Sequence, residues 1–294
     1  MAALSVIVIT KNEAHNIVDC LESVKWADEI IIVDNNSRDE TKATVEKYAQ
    51  KSQDRLKYIF EGRQGLCYAR NRGIMNATGE IIVFTDDDCL APLDWLIKIY
   101  DEFNRSLDVS GILGNAVWED GQPMYSENNI LRGNGLNMSF RRELFREVGM
   151  FDVYLGSGSL GCSADDVEFI YRAAYRHKKN IVLREHIVIT HKHRISKEEE
   201  LRIYFRDSQG HMVFYLKYVL RTFDVESFKK IFRIFRFNIK SYLKAKKENN
   251  AERLKERALR LKGSLLGFGK GLKIWLFISP WQFLRGDPMR VSAL

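Results

Sequence analysis

The 294 residues are 45% hydrophobic and 29% charged, the composition of an ordinary folded protein with material for one large domain or one domain plus an appendage. The four cysteines, Cys20, Cys67, Cys89 and Cys162, are widely spaced without a C-x-x-C pair, which indicates neither a zinc site nor a disulfide framework and fits a reducing compartment. The net charge of +7 is unevenly split: residues 221–294 carry 18 Lys/Arg against 6 Asp/Glu, whereas residues 1–220 carry 28 against 33, and an acidic body with a basic tail suits an anionic surface such as phospholipid or nucleic acid.

The chain opens with MAALSVIVIT, which lacks a basic leader and is too short an apolar run for a signal peptide; it flows directly into a strand pattern. Three Asn-x-Ser/Thr triplets, at Asn35, Asn76 and Asn137, lie in or beside segments assigned below to the site, where a glycan would obstruct chemistry. Both points set the expectation of a cytoplasmic protein. Apolar runs then alternate with helical patterns: strands at 4–10, 29–35, 56–61 and from Glu80, and helices at about 13–24, 39–51 and 66–76. This βαβαβαβ order predicts an α/β fold with a mainly parallel, Rossmann-like sheet flanked by helices, whose ligands bind beyond the carboxyl ends of the strands. Thr10, Lys11, Asn12 and Glu13 follow the first strand, Asp34 and Asn35 the second, and Asp86, Asp87 and Asp88 the fourth. No G-x-G-x-x-G follows the first strand and no G-K-[ST] loop occurs, so a dinucleotide-dependent dehydrogenase and a P-loop nucleotidase are excluded.

The aspartate trio ends the buried-strand run EIIVFTDDD, and three adjacent carboxylates repel unless a cation or a hydrogen-bonded network offsets the charge. A rival reading makes Asp87 or Asp88 the N-cap of a helix starting near Pro92, a role that needs only one of them. Residues 109–152 read as less regular, with a short strand at 135–140, a short helix at 143–148 and Gly149 as its C-cap. Gly156, Gly158 and Gly161 suggest a mobile loop, after which a second acidic pair, Asp165 and Asp166, starts an amphipathic helix at the positive end of its dipole. An H-x-H pair, His191 and His193, follows a strand at 187–190, and Trp118 reads either as a sugar-stacking platform or as core.

Five segments in this order, SVIVITKNE, EIIIVDNNSRDET, GLCYARNRGIMNATGEIIVFTDDD, GLNMSFRRELFREVGMFD and ADDVEFIYRA, resemble family 2 glycosyltransferases of the GT-A fold over about residues 4–195. The resemblance implies an inverting transferase that moves a sugar from a nucleotide diphosphate sugar, UDP or dTDP favoured, to an acceptor hydroxyl. It implies a divalent metal, Mn²⁺ or Mg²⁺, held by the D-x-D residues Asp86 and Asp88, with Asp88 the direct ligand, Asp86 nearer the ribose, and His191 approaching the metal or diphosphate. It further implies Asp166 as catalytic base with Asp165 beside it, where the family more often has Glu, and Thr10, Glu13, Asp34, Arg70 and Asp86 on the nucleotide. Carboxylate ligation of a hard cation that neutralises a departing diphosphate, and a base opposite it, agree with the chemistry of the transfer.

In the tail, residues 225–247 place Phe228, Ile231, Phe232, Phe235, Ile239 and Tyr242 on one helical face and Lys229, Arg233, Arg236, Lys240, Lys244 and Lys247 on the other, the pattern of an interfacial helix. Residues 264–284 are apolar, but Lys270, Lys273 and Pro280 interrupt them, so a full span is not expected. The domain reading is a GT-A catalytic domain over 1–220 and a basic, membrane-associating helical tail over 221–294. A peripheral protein at the inner face of the cell membrane, with a saccharide or lipid-linked saccharide acceptor and no nucleic-acid partner, is the expectation. Two rivals are a catalytically silent nucleotide-sugar-binding scaffold and a sugar nucleotidyltransferase, although TKNEAHN lacks the latter's Gly-rich loop.

Overall fold

The computed structural model describes residues 3–50, 55–124, 129–132, 135–192 and 195–278. They form two compact units, one of residues up to 151 together with 166–192, the other of 152–165 together with 195–278. The domain border read from the sequence at 220/221 falls in the last turn of a helix of the second unit.

The first unit is built on β1 (Leu4–Thr10), α1 (Ile17–Val24), β2 (Glu29–Asp34), α2 (Thr41–Ala49), β3 (Leu56–Phe60), α3 (Leu66–Asn76) and β4 (Ile81–Asp86). After these come the short β5 (Cys89–Leu90), α4 (Trp95–Arg105), β6 (Val109–Trp118), β7 (Met138–Arg141), α5 (Arg142–Val148), α6 (Asp165–Tyr171) and β8 (Asn180–His191). The eight strands lie in the order β3-β2-β1-β4-β7-β6-β8-β5. β3, β2, β1 and β4 are mutually parallel, and β6 runs parallel to β8; β7 is antiparallel to β4 and β6, and β5 to β8. The mainly parallel sheet is therefore as expected, with a mixed half that the sequence showed only as short fragments.

β1 and β2 are buried along their whole length because both faces are covered. Val6, Val8, Ile30, Ile32 and Val83 pack with Cys20, Leu21 and Val24 of α1 and with Trp95, Ile99 and Phe103 of α4 in one core. On the opposite face α3 lies so close that a Cβ on Gly73 would come within 2.6 Å of Ile7. There Phe84, Phe140, Phe145, Phe151 and Phe169 form a ring cluster, with Phe151 and Phe169 stacked at 4.5 Å. Gly149, at φ 83°, caps α5, as its position predicted.

The second unit consists of α7 (Lys197–Thr222), α8 (Val225–Lys247) and α9 (Ala251–Lys273), followed by a π-helical turn at Ile274–Ile278, together with the loop 152–165. Ser196 caps α7 by accepting the Glu199 N–H, and Asn250 caps α9 by accepting that of Arg253. α9 presents Gly263, Gly267 and Gly271, one per turn, to α7; a Cβ on Gly267 would lie 2.5 Å from the Gln209 carbonyl oxygen. α8 spans the residues predicted. Ser227, Ile231, Asn238 and Ala245 are buried, and Asn238 donates to Ser264 of α9 at 3.0 Å. Of the six apolar residues read as the face of an interfacial helix, Phe228, Phe232 and Ile239 are exposed. No helix among the described residues is long and apolar enough to cross a membrane; residues 279–284, including Pro280, lie outside the described residues.

The glycine-rich loop is bonded to itself. Gly161 N–H donates to the Tyr154 carbonyl (2.8 Å), Gly156 N–H to Ser163 (3.2 Å), and the Ser159 hydroxyl to Gly156 (2.8 Å). Gly156 and Gly158 have φ near 86° and 81°, and a Cβ on Gly161 would strike the Tyr154 carbonyl at 2.5 Å. Backbone geometry and close approach account for these glycines. Within the second unit the loop is fastened to α7 by Ser163 to Asp207 (2.6 Å) and by an ion pair of Asp152 with Lys217.

Candidate active site

Strand register sets the first group. Thr10 pairs with Asp34, and Ile9 with Asp86, so the ends of β1, β2 and β4 meet at one edge of the sheet. Asp34 is buried; its Oδ1 accepts the Ser37 N–H and its Oδ2 the Tyr58 hydroxyl, each at 2.7 Å. Burial and this carboxylate push the Tyr58 phenol well above its ordinary value. The turn role and a ligand role of Asp34 are thus compatible, since each oxygen keeps a lone pair. Asn35 is a strut, accepting from Gly65 N–H (2.9 Å) and donating to the Arg63 carbonyl (2.8 Å). Glu13 is held locally: its carboxylate accepts from Asn16 (2.9 Å), and its N–H donates to Thr41 (3.0 Å). The Thr10 hydroxyl is buried.

The aspartate trio follows at the turn from β4 into β5. Because Cys89 of β5 pairs with His191 of β8, Asp88 is brought to the histidine: Oδ2 lies 3.1 Å from His191 Nε2, and the Asp88 carbonyl accepts the Lys192 N–H at 3.0 Å. Trp118 packs edge-on against the His191 ring at 5.2 Å. His193 lies outside the described residues. Burial, with the charges of Asp86 and Asp88 adding to it, raises the Asp87 carboxyl well above the usual range. Cys20 and Cys89, both buried behind the trio, are raised by burial and by the same carboxylates, and so remain thiols. Among the described residues no three His, Cys, Asp or Glu side chains converge as a ready metal cage. The donors that do meet, a carboxylate oxygen and an imidazole nitrogen, fit Mn²⁺ or Mg²⁺ when the diphosphate completes the shell.

A third group surrounds Asp166, near the start of α6. Arg70, buried on α3, donates from Nη2 to the Gly135 carbonyl at 3.1 Å and lies over the Phe151 ring at 5.3 Å. A Cβ on Gly135 would stand 2.5 Å from that guanidinium nitrogen and 3.5 Å from Asp166 Oδ2. Asp166 Oδ1 accepts the Val167 N–H at 2.8 Å. Asp165 is buried and Ala164, at φ 66°, turns the chain into it. Thr10 therefore pairs with Asp34 and Asp88 meets His191, whereas Arg70 reaches the Gly135 carbonyl and Glu13 is held by Asn16 and Thr41. Gly135 and Cys20 were not singled out from sequence: a glycine in GNGLNM reads as a turn, and a cysteine inside a helix carries no positional signal.

The family model for Glycosyl transferase family 2 matches residues 5–154. Glycosyltransferase AglE of Haloferax volcanii is 38% identical over 176 residues, 53% of this chain and 58% of that protein. The GalNAc(5)-diNAcBac-PP-undecaprenol beta-1,3-glucosyltransferase of Campylobacter jejuni is 39% identical over 160 residues, 49% of this chain and 51% of that protein. The chain thus spans between about half and three fifths of the length of these curated relatives. Among solved structures, the mannosyltransferase PcManGT of Pyrobaculum calidifontis in complex with GDP-Man and Mn²⁺ superposes with a TM-score of 0.60 at 22% identity, covering 94% of this chain and 81% of that one. Residues 1–349 of S. aureus TarS with UDP give 0.55 at 18% identity and 90% of each chain. At such identities the likeness bears on the fold alone.

Proposed function

The chain belongs to glycosyl transferase family 2 and has the GT-A fold, and from that premise we propose that it is an inverting glycosyltransferase using a nucleotide diphosphate sugar, UDP- or dTDP-linked. Asp166 takes the proton of the acceptor hydroxyl as that oxygen attacks the anomeric carbon and the nucleoside diphosphate leaves from the opposite face. Asp165, buried beside it, shapes the entry into α6. Thr10, Glu13, Asp34 and Asp86 receive the nucleotide, with Arg70 bracing the pocket. Asp88 and His191, with Asp86, would hold Mn²⁺ or Mg²⁺, which would supply positive charge to the departing diphosphate. The observation that carries the reading is the 3.1 Å approach of Asp88 to His191 at the strand-end edge where Asp34 and Asp86 also lie.

The acceptor is a lipid-linked saccharide, in line with the name of the Campylobacter jejuni relative. The chain reaches it as a peripheral protein at the inner face of the membrane. Supporting this is α8, where Val225, Phe228, Phe232, Ile239 and Leu243 are exposed beside the exposed Lys229, Arg236 and Lys240. Such a helix lies in the interface with its basic side toward anionic headgroups.

The test is release of nucleoside diphosphate from UDP-, dTDP- and GDP-sugars with Mn²⁺, Mg²⁺ or EDTA, with lipid extract as acceptor source, for the wild type and Asp166→Asn. Metal-dependent turnover of one donor that falls about 10²–10⁴-fold in the variant is the expected result. Nucleotide binding without turnover in any lipid would instead identify a silent scaffold.

A further inference from the structure

His191 sits in the sheet with a strand on either side, and each strand gives it a neighbour. On the β5 side Cys89 pairs with it, which carries Asp88 Oδ2 to 3.1 Å from its Nε2. On the β6 side Trp118 is its partner in the parallel ladder, and the two rings lie 5.2 Å apart with their planes crossing at 69°. Such an edge-to-face approach is one that aromatic rings prefer. β6 reaches this register after two irregularities, between Val109 and Gly111 and between Leu113 and Asn115, beyond which residues 115–118 pair in step with 188–191.

Trp118 is then fixed by a tight reversal of the chain. Its N–H donates to the Gln122 carbonyl at 2.9 Å, its carbonyl accepts the Gly121 N–H at 2.8 Å, and Gly121 takes a φ of 79°. This is the three-residue hairpin connection that ends on a left-handed glycine, and WEDGQ spells it in the sequence. The Gln122 N–H donates to Asp120 Oδ1 and the Met124 N–H to the Ala116 carbonyl, both at 3.0 Å, which completes the turn and its returning arm. The indole is therefore placed by its own backbone, whatever the histidine does. Asp88 and His191 keep 24% and 15% of their side-chain surface exposed, so the pair is open to an ion.

We infer that Trp118 is a positioning residue for His191: the indole fixes the plane of the imidazole and so aims Nε2 at the point that the Asp88 carboxylate also reaches. This rests on the reading of Asp88 and His191 as metal ligands. A histidine ring has a broad torsion about its second side-chain bond, and at a metal an outer-shell partner ordinarily orients it; here ring packing from the adjacent strand contributes to that task. Carboxylates serve Mn²⁺ and Mg²⁺ alike, whereas a nitrogen donor favours a transition ion over Mg²⁺. A well-aimed His191 thus sets the margin by which Mn²⁺ is preferred.

The test is Mn²⁺ affinity, read from the paramagnetic resonance signal of the free ion with saturating UDP, dTDP or GDP, whichever the protein binds, and Mg²⁺ affinity by competition. Trp118→Ala should weaken Mn²⁺ about tenfold, the lower end of what loss of an outer-shell partner costs, and narrow the Mn²⁺-over-Mg²⁺ ratio. Trp118→Phe keeps a ring edge and should retain most of the affinity. His191→Ala should lose at least the same margin, and adding Trp118→Ala to it should cost nothing more, because the indole acts through the imidazole. Where Trp118→Ala fails to fold, Trp118→Leu, which fills space without a ring edge, takes its place. Mn²⁺ affinity equal to that of the wild type, or a double variant weaker than His191→Ala, would overturn the inference and leave the indole as packing. Unchanged Mn²⁺ affinity in His191→Ala would instead overturn the ligand reading of that histidine, and the inference with it.

Discussion

Glu29 shows how a single carboxylate ties the sheet to its solvent conditions. Burial pushes its carboxyl up, but hydrogen bonds from Lys57, Ser5 and the Thr78 N–H outweigh burial and hold it below the ordinary value of 4.5. Glu61 behaves likewise through Arg63. A carboxyl depressed in the fold contributes stability that is present above its unfolded value and lost as pH falls through the folded one. Denaturant stability should therefore be flat from pH 7 to about 5 and decline below about 4.5. Glu29→Gln should cost about 1–3 kcal/mol at pH 7, because Ser5 and Thr78 lose a charged acceptor, and should make the acid decline shallower. At this scale the sequence was legible where chemistry is written in residue type. Asp34, Asp86 and Asp88 stand at strand ends, and His191 follows a strand, so their candidacy needs no coordinates. Gly135 was not legible, because its significance lies in what a methyl group would strike.

Elements were readable in proportion to how regular their burial is. β1, β2 and β4 carry uninterrupted apolar runs since both faces are covered, and α3 and α8 begin and end where their patterns do. β6 escaped notice because VSGILGNAVW contains two glycines that read as a loop. A Cβ on Gly111 would meet Phe140 at 2.5 Å and one on Gly114 would meet Asn137 at 2.2 Å, so close packing, not flexibility, put them there. β8 was seen only at 187–190, since its middle exposes Glu185 and His186. α9 packs on α7 through Gly263, Gly267 and Gly271, a close approach that hydropathy patterning does not mark. Gly267→Leu should therefore destabilise the helical unit by at least about 1–3 kcal/mol, since the clash is with backbone and cannot be relieved by a rotamer; thermal unfolding followed by circular dichroism checks it. The phenylalanines left outside are the ones to test on lipid. Phe232→Asp should weaken partition onto anionic vesicles about tenfold or more, given about 1.5–3 kcal/mol for a buried phenylalanine, and leave melting unchanged. Unchanged partition, measured by vesicle sedimentation, would remove α8 from the membrane reading.

For the whole molecule, the excess of negative charge at one sheet edge predicts a response to cation. Asp87 is forced toward its neutral form by burial and by its two neighbours, so a divalent ion with a nucleoside diphosphate should stabilise the fold. At 100 times the dissociation constant the gain is about 2.7 kcal/mol, a rise of several degrees in melting temperature. EDTA should reverse it and Asp88→Ala should abolish it, as scanning calorimetry would read. Domain organisation was the least legible feature, because charge and amphipathicity mark where a helix begins but not which helices pack together. The loop 152–165 belongs with α7, α8 and α9 through Asp152, Ser163 and the glycines they neighbour. Its last peptide bond leads straight into Asp166. Cutting the gene after residue 195 to obtain a smaller, easier enzyme would consequently strip that loop of Lys217 and Asp207, and the fragment would keep every residue proposed for the reaction while losing both contacts that fasten the loop to α7. Such a truncation unfastens the loop that precedes Asp166, although every residue it deletes lies outside the family match.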